Sequence, residues 1–212
     1  MRAVLSVLAS SAALLVAGRA AATHDQPPPS TTQYLQYGVA LTTETAASAG
    51  DVCPAQSRAP CILGSGGGLA IRVGYRTRSA WYVGGAYEFS RQDSSNLLRL
   101  AILQQLRGET RHYFDYGTRL TPYAAAALGA VLYGNEWGRE TGGVTGGLGA
   151  GLEFQVTEST LIGIAVMYRP LLFRGWTDSA GQRRADRYLG FGLAHFVAIE
   201  LNLAIRDALD RW

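Results

Sequence analysis

The stretch Val144-Thr-Gly-Gly-Leu-Gly-Ala-Gly-Leu-Glu-Phe-Gln-Val-Thr157 decides the fold, because its character alternates from one residue to the next. One set of alternate positions is apolar: Val144, Leu148, Ala150, Leu152, Phe154 and Val156. The other set is small or polar: Thr145, Gly147, Gly149, Gly151, Glu153, Gln155 and Thr157. Successive side chains of a β-strand point to opposite faces, so this pattern predicts a strand with one apolar face.

Seven further stretches carry the same period, at residues 35–44, 68–76, 81–90, 97–114, 123–133, 160–169 and 189–203. The stretch 97–114 is less regular because Gln104 falls on its apolar side, and a helix over 97–107 is the alternative. The stretch 123–133 is nearly all small and apolar, which leaves its register ambiguous. Counting both, the chain has eight predicted strands.

The connections between these strands alternate in length. Short turns are predicted at 77–80, 115–118 and 158–159, and longer polar loops at 46–67, 91–96, 134–143 and 174–187. Short turns at one rim and long loops at the other are typical of a barrel that spans a membrane. We therefore predict an all-β fold: an eight-stranded antiparallel up-and-down transmembrane β-barrel.

The polar face of the strands separates a membrane barrel from the alternative, a secreted soluble barrel. In a soluble barrel that face meets water, where charged residues are common and glycine weakens a strand. Here it is rich in Gly and Ala with single charges between them, which suits the narrow interior of eight strands. The predicted charge network of the lumen comprises Arg72, Arg76, Glu88, Arg107, Glu109, Arg111, Glu153, Arg169 and Glu200, with Arg107, Glu109 and Arg111 at its centre.

Aromatic residues are predicted to form two belts at the membrane interfaces. Beside the short turns lie Tyr34, Tyr75, Trp81, Tyr113 and Tyr123; toward the long loops lie Phe89, Tyr133, Trp137, Phe173, Trp176 and Tyr188.

The N-terminus predicts export. Met1-Arg2-Ala3 is a short positive start, an uncharged apolar run covers 4–18, and Ala20-Ala21-Ala22 is a small-residue cleavage site. The alternative, an uncleaved anchor, needs about 20 apolar residues. The predicted organisation is a signal peptide at 1–22, a flexible Pro-rich segment at 23–32, the barrel at 33–204 and a C-terminal tail at 205–212.

Charge and cysteine content restrict the function. The 19 basic and 16 acidic residues become 17 and 16 without Arg2 and Arg19, so the exported chain is nearly neutral. We therefore expect no nucleic-acid partner. Cys53 and Cys61 are predicted to form a disulfide in an oxidising compartment, because a metal site would need three or four ligands. No metal and no cofactor are expected.

The apparent signal peptide, the eight alternating segments, Thr121-Pro122-Tyr123 and Gly147-x-Gly149-x-Gly151 resemble the small outer-membrane barrels of the OmpA/OmpX kind. The resemblance implies a monomer in the outer membrane of a Gram-negative cell envelope. Its implied partners are outer-membrane lipid and lipopolysaccharide, the outer-membrane insertion machinery, and an extracellular ligand bound through the loops. Such barrels end on a strand with a terminal aromatic residue, whereas the last predicted strand here ends near Leu203 and Trp212 follows a charged tail.

Three functions are compatible with this pattern. The first is a non-enzymatic structural or surface-interaction protein with a plugged lumen, acting through the loops at 53–61 and 174–187. The second is a lipid A-modifying enzyme centred on His195, which the alternation places on the lipid face at mid-strand. The resemblance to lipid A deacylases implies a serine two residues later, where Val197 stands. The third is a narrow solute pore. No role is expected for His24, in the N-terminal segment, or for His112, at the periplasmic end of a strand.

Overall fold

The computed structural model of the chain describes residues 32–53, 61–114, 117–178, 181, 183–185 and 189–209. The predicted signal peptide, His24, Tyr188 and Trp212 lie outside these residues, as does most of the predicted segment 23–32. Within the described ranges, no helix is long and apolar enough to cross a membrane.

Eight long strands account for most of the described chain. They are Tyr34–Ser48 (β1), Gly66–Arg76 (β2), Trp81–Gln92 (β3), Ala101–Tyr113 (β4), Leu120–Asn135 (β5), Thr141–Gln155 (β6), Thr160–Arg174 (β7) and, after two short strands, Phe191–Ala208 (β10). The short strands Trp176–Thr177 (β8) and Arg183–Arg184 (β9) pair with each other in the connection between β7 and β10. A 3-10 turn covers Gly50–Val52.

The eight long strands form a closed barrel in the order β1-β10-β7-β6-β5-β4-β3-β2. The first and last strands close it, with Tyr34 opposite Ala208 and Ala46 opposite Phe196. Closure pairs the backbone groups that an open sheet edge would leave exposed in hydrocarbon. The prediction of an eight-stranded antiparallel barrel is confirmed, and the helical alternative for 97–107 is wrong, because β4 and the loop before it cover those residues.

The pleat orients the side chains as the alternation predicts. Leu128 and Leu148 point outward and are 72% and 65% exposed, whereas Ala40 and Ala70 point inward and are fully buried. The inward glycines leave room for rings from neighbouring strands. A Cβ atom added to Gly151 would lie 2.5 Å from the ring of Tyr123. The glycine-rich face is therefore needed to pack large side chains inside a narrow barrel.

Two predicted strand limits are corrected. The last strand continues to Ala208, beyond the predicted end near Leu203, and so includes part of the predicted tail. It continues because Ile205 keeps the outward apolar row, while the inward Arg206 donates from Nε to the backbone oxygen of Glu158 at 2.9 Å. The fourth strand begins at Ala101, so Arg99 lies in a loop with its side chain 86% exposed and does not face the lumen.

The predicted aromatic belts are also corrected. Tyr34, Tyr113 and Tyr123 at the short turns are buried inside the barrel, and so are Tyr133 and Phe173 toward the long loops. Trp176, in the connection after β7, is buried with its ring centre 6.2 Å from that of Phe173. Trp81 and Trp137 do lie on the outside, with 44% and 81% exposure. The reason is strand parity: Tyr113 shares the inward positions of Arg111 and Glu109, whatever its distance from the turn.

Candidate functional site

The middle of the lumen is filled by a network of ion pairs. Arg169 contacts three glutamates: its Nη1 lies 2.7 Å from Glu44 Oε1 and 3.0 Å from Glu88 Oε1, and its Nη2 contacts Glu200. Nη1 of Arg107 lies 2.8 Å from the other oxygen of Glu88. These side chains are at most 3% exposed, so water cannot replace the contacts.

A second part of the network extends toward the rim with the short turns, hereafter the inner end. Nε of Arg72 lies 3.0 Å from Glu109, and its Nη2 lies 2.5 Å from Glu200. Arg111 lies 3.3 Å from both Glu109 and Glu153. The structure thus places Arg72, Arg107, Glu109 and Arg111 in one connected cluster, with Arg169 as an equally central member.

The network is balanced in charge. Its described members are five arginines and five glutamates: Arg72, Arg76, Arg107, Arg111, Arg169, Glu44, Glu88, Glu109, Glu153 and Glu200. All nine residues named from the sequence are among them. A buried charge without a partner is strongly destabilising, so equal numbers suit a narrow interior.

Sequence reasoning omitted several residues that complete this network. Glu44 accepts from Gln92 at 2.7 Å, from Ser90 at 2.9 Å and from Gln105 at 3.1 Å. Asn202 accepts from Arg72. Each lies at an inward position, so the alternation that located the other charges is the signal that could have found them.

Tyrosine rings close the inner end of the lumen. Tyr82, Tyr113 and Tyr123 are each at most 2% exposed and form one cluster. The Arg76 guanidinium lies 3.8 Å from the centre of the Tyr113 ring, whose hydroxyl donates to Glu153 at 2.8 Å. The rings therefore join the ion network to the inner rim.

An apolar cluster closes the opposite rim, which carries the long loops and is hereafter the outer end. It combines inward strand residues with residues of three outer connections: Leu103, Val131, Tyr133, Leu171, Phe173, Ala194 and Phe196 from strands, and Val52, Ile62, Leu63, Leu98 and Ala185 from loops. Tyr133 also donates its hydroxyl hydrogen to the backbone oxygen of Ile62. The loops thus fold over the barrel mouth.

The predicted disulfide between Cys53 and Cys61 is confirmed and lies in this cover. Its loop is tied to the next outer loop, since Ser95 donates to the backbone oxygen of Cys61 at 2.8 Å. Gly64 and Asp93 are joined by a further backbone hydrogen bond of 2.9 Å. Residues 54–60 of the predicted binding loop lie outside the described residues.

His195 is half-buried on the outward side of β10, as predicted, but near the outer end and not at mid-strand. Its Nδ1 lies 2.5 Å from the hydroxyl oxygen of Tyr168, and Ser48 lies opposite it on β1. The Ser48 hydroxyl accepts a hydrogen bond from the backbone of Gly50 at 3.3 Å. His112 packs 4.6 Å from Trp81 at the inner end.

No protein-family model and no curated protein sequence matches the chain. Among solved structures, outer membrane protein AlkL, determined by solid-state NMR in DMPC bilayers, matches with a TM-score of 0.52 at 13% identity over 92% of this chain and 98% of that one. OprG from Pseudomonas aeruginosa matches with a TM-score of 0.49 at 12% identity, over 84% of this chain and 96% of that one. Neisserial surface protein A matches with a TM-score of 0.48 at 16% identity, over 82% of this chain and 95% of that one.

The closed barrel and its outward apolar rows define a transmembrane β-barrel protein of the outer membrane. Within that class, the chain has the fold of the small eight-stranded barrels, and the predicted resemblance is confirmed as a likeness of fold.

Proposed function

We propose that the chain is a non-enzymatic outer-membrane barrel with a plugged lumen, acting at the cell surface as a structural or interaction protein through its extracellular loops. The observation that supports this most directly is the filling of the lumen at three levels. Apolar side chains occupy the outer end, ion pairs the middle and tyrosine rings the inner end. A barrel of eight strands encloses only enough space for side chains, and in this barrel side chains fill that space.

The outer loops are what remains for contact with other molecules. By sequence, residues 46–67, 91–100, 134–143 and 174–190 carry eight arginines against six acidic residues. This excess of positive charge favours acidic partners. The disulfide and the apolar cluster hold three of the loops against the barrel mouth, which suits a fixed binding surface.

Planar-bilayer recording tests the plugged lumen. The purified protein, inserted beside a conducting porin that reports successful insertion, is expected to show no discrete openings. Openings that scale with the amount of this protein would contradict the plug and would support the alternative of a narrow pore.

Protease treatment of intact cells tests the role of the loops. We expect cleavage within 174–187 at the cell surface, while the β-strands remain protected by the membrane. Cleavage only after the outer membrane is permeabilised would place these loops on the periplasmic side and reject the proposal.

A lipid-modifying enzyme remains the second candidate, because polar groups gather on the lipid face around His195. Tyr168 is hydrogen-bonded to the histidine, and Ser48 and Thr45 lie on the adjacent strand. Polar groups facing lipid are costly and frequently functional. Against this candidate, Ser48 has a backbone partner and no carboxylate orients the imidazole among the described residues.

Mass profiles of lipid A separate the two candidates. Cells with the wild-type chain, the His195→Ala variant or no chain are expected to give the same profile. A change that appears with the wild type and disappears with His195→Ala, but not with the matched outward substitution Val197→Ala, would establish the enzyme.

A further inference from the structure

A polar cleft of about 310 Å³ lies at the outer end of the barrel, between the end of β3 and the loop that leads to β4. Its volume is near the lower limit of small-molecule sites, about 300–1,000 Å³. The lining that matters for recognition consists of Arg91, Arg99, Asp93, Asn96, Ser65 and Leu98. Neither the lumen network nor the cluster around His195 uses these residues.

Arg91 is the cation of this cleft that is available to a ligand. It is exposed, and within the described part of the chain it forms no ion pair or side-chain hydrogen bond. Arg99 is engaged at its edge with Glu136 at 3.2 Å, an exposed pair that contributes little to stability. Arg91 and Arg99 are the cations of the lining and Asp93 is its anion. Because Glu136 balances Arg99, the positive charge open to a ligand is that of Arg91.

Asp93, the acidic residue of the cleft lining, is hydrogen-bonded within its own turn. The Asp93 carboxylate accepts a hydrogen bond from the backbone of Ser95 at 2.9 Å, and the Asp93 backbone pairs with Ser65 and Gly64 at 2.9 Å. The side chains of Asn96 and Ser65 are exposed and add neutral donors beside the arginines. Guanidinium groups with neutral donors are the chemistry that binds phosphate.

The position of Arg91 identifies where such a phosphate would come from. Arg91 is the last residue of the outward row of β3 and follows Tyr87 and Phe89. The Phe89 ring packs 5.6 Å from that of Trp137, at the level where outward apolar residues give way to loops. Arg91 is the one charged residue of that row, and aromatic residues mark the membrane–water interface.

We propose that this cleft binds the phosphate group of a phosphorylated glycolipid headgroup in the surrounding outer leaflet. Arg91 donates to the phosphate oxygens, Asn96 and Ser65 offer neutral donors, and Leu98 supplies an apolar wall. The site holds a lipid against the β3–β4 side of the barrel. It depends on the membrane placement of the barrel and not on what the extracellular loops bind.

Native mass spectrometry of the full-length exported protein in detergent tests the site with two probes, bisphosphorylated lipid A and the same lipid after dephosphorylation. We expect at least about tenfold tighter binding of the phosphorylated lipid, as one charge-assisted hydrogen-bonded pair provides. Arg91→Gln is expected to abolish this preference. Arg139→Gln, an equal charge change on an exposed residue outside the cleft, is expected to preserve it.

Several outcomes would overturn the proposal. Equal binding of both lipids would show that only the acyl chains are recognised. An equal loss in Arg91→Gln and Arg139→Gln would show a general effect of surface charge. Displacement of the lipid by millimolar inorganic phosphate would show that free phosphate is the ligand. Gel migration without boiling verifies that both variants remain folded barrels, and Arg91→Lys, which keeps the charge, is expected to retain part of the preference.

Discussion

Replacing Arg169 with methionine removes a side chain that contacts three glutamates in the lumen. Its guanidinium meets Glu44 at 2.7 Å, Glu88 at 3.0 Å and Glu200. The side chain is 2% exposed, so water cannot solvate the carboxylates left behind. The network changes from five arginines and five glutamates to four and five, and removing one partner from a buried ion network costs about 3–5 kcal/mol. We expect the free energy of unfolding to fall by that amount.

Urea unfolding of the protein folded into vesicles measures this loss. Arg99→Met is the matched control, because its ion pair with Glu136 is exposed and contributes about 0–1 kcal/mol. The double variant Arg169→Met/Glu44→Gln restores equal numbers of charges and is expected to regain about 1 kcal/mol or more over the single variant. An Arg169→Met loss no larger than that of Arg99→Met would refute the balanced network.

Three further substitutions test other layers of the fold. Cys53→Ser is expected to weaken the closure of its loop by about 2–3 kcal/mol, measured as faster proteolysis at the cell surface; an unchanged rate would show that the apolar cluster alone holds the loop. Gly151→Ala places a Cβ 2.5 Å from the ring of Tyr123 and is expected to lower the free energy of unfolding in urea by about 1–3 kcal/mol. Gly85→Ala is the tolerated control, because its added Cβ would lie 3.7 Å from the nearest atom, the backbone oxygen of Arg107. Leu148 points outward near the middle of β6, and Leu148→Arg is expected to lower the free energy of unfolding in vesicles by about 2–4 kcal/mol. The loop variant Leu189→Arg is expected to leave this free energy almost unchanged, and equal losses in the two variants would argue against lipid contact.

Much of the candidate site could be predicted from the sequence because one rule governs it. Once the apolar row of a strand faces lipid, every second residue must face the lumen, and Arg107, Glu109 and Arg111 follow from counting. Tyr113 obeys the same rule and faces inward, because parity, and not nearness to a turn, sets the face on which a strand residue lies. Glu44 was omitted although its parity is equally clear.

The sequence by itself determined the strands, the outward face and the presence of opposite charges in a narrow interior, since these depend on alternation and composition along one segment at a time. Tertiary structure alone decided which charges meet. Arg169 and Glu44 are 125 residues apart and become neighbours only when the barrel closes. It also decided that three outer loops seal the mouth and that Arg91 and Arg99 share a cleft, because loop positions depend on packing between segments and not on a period within any of them.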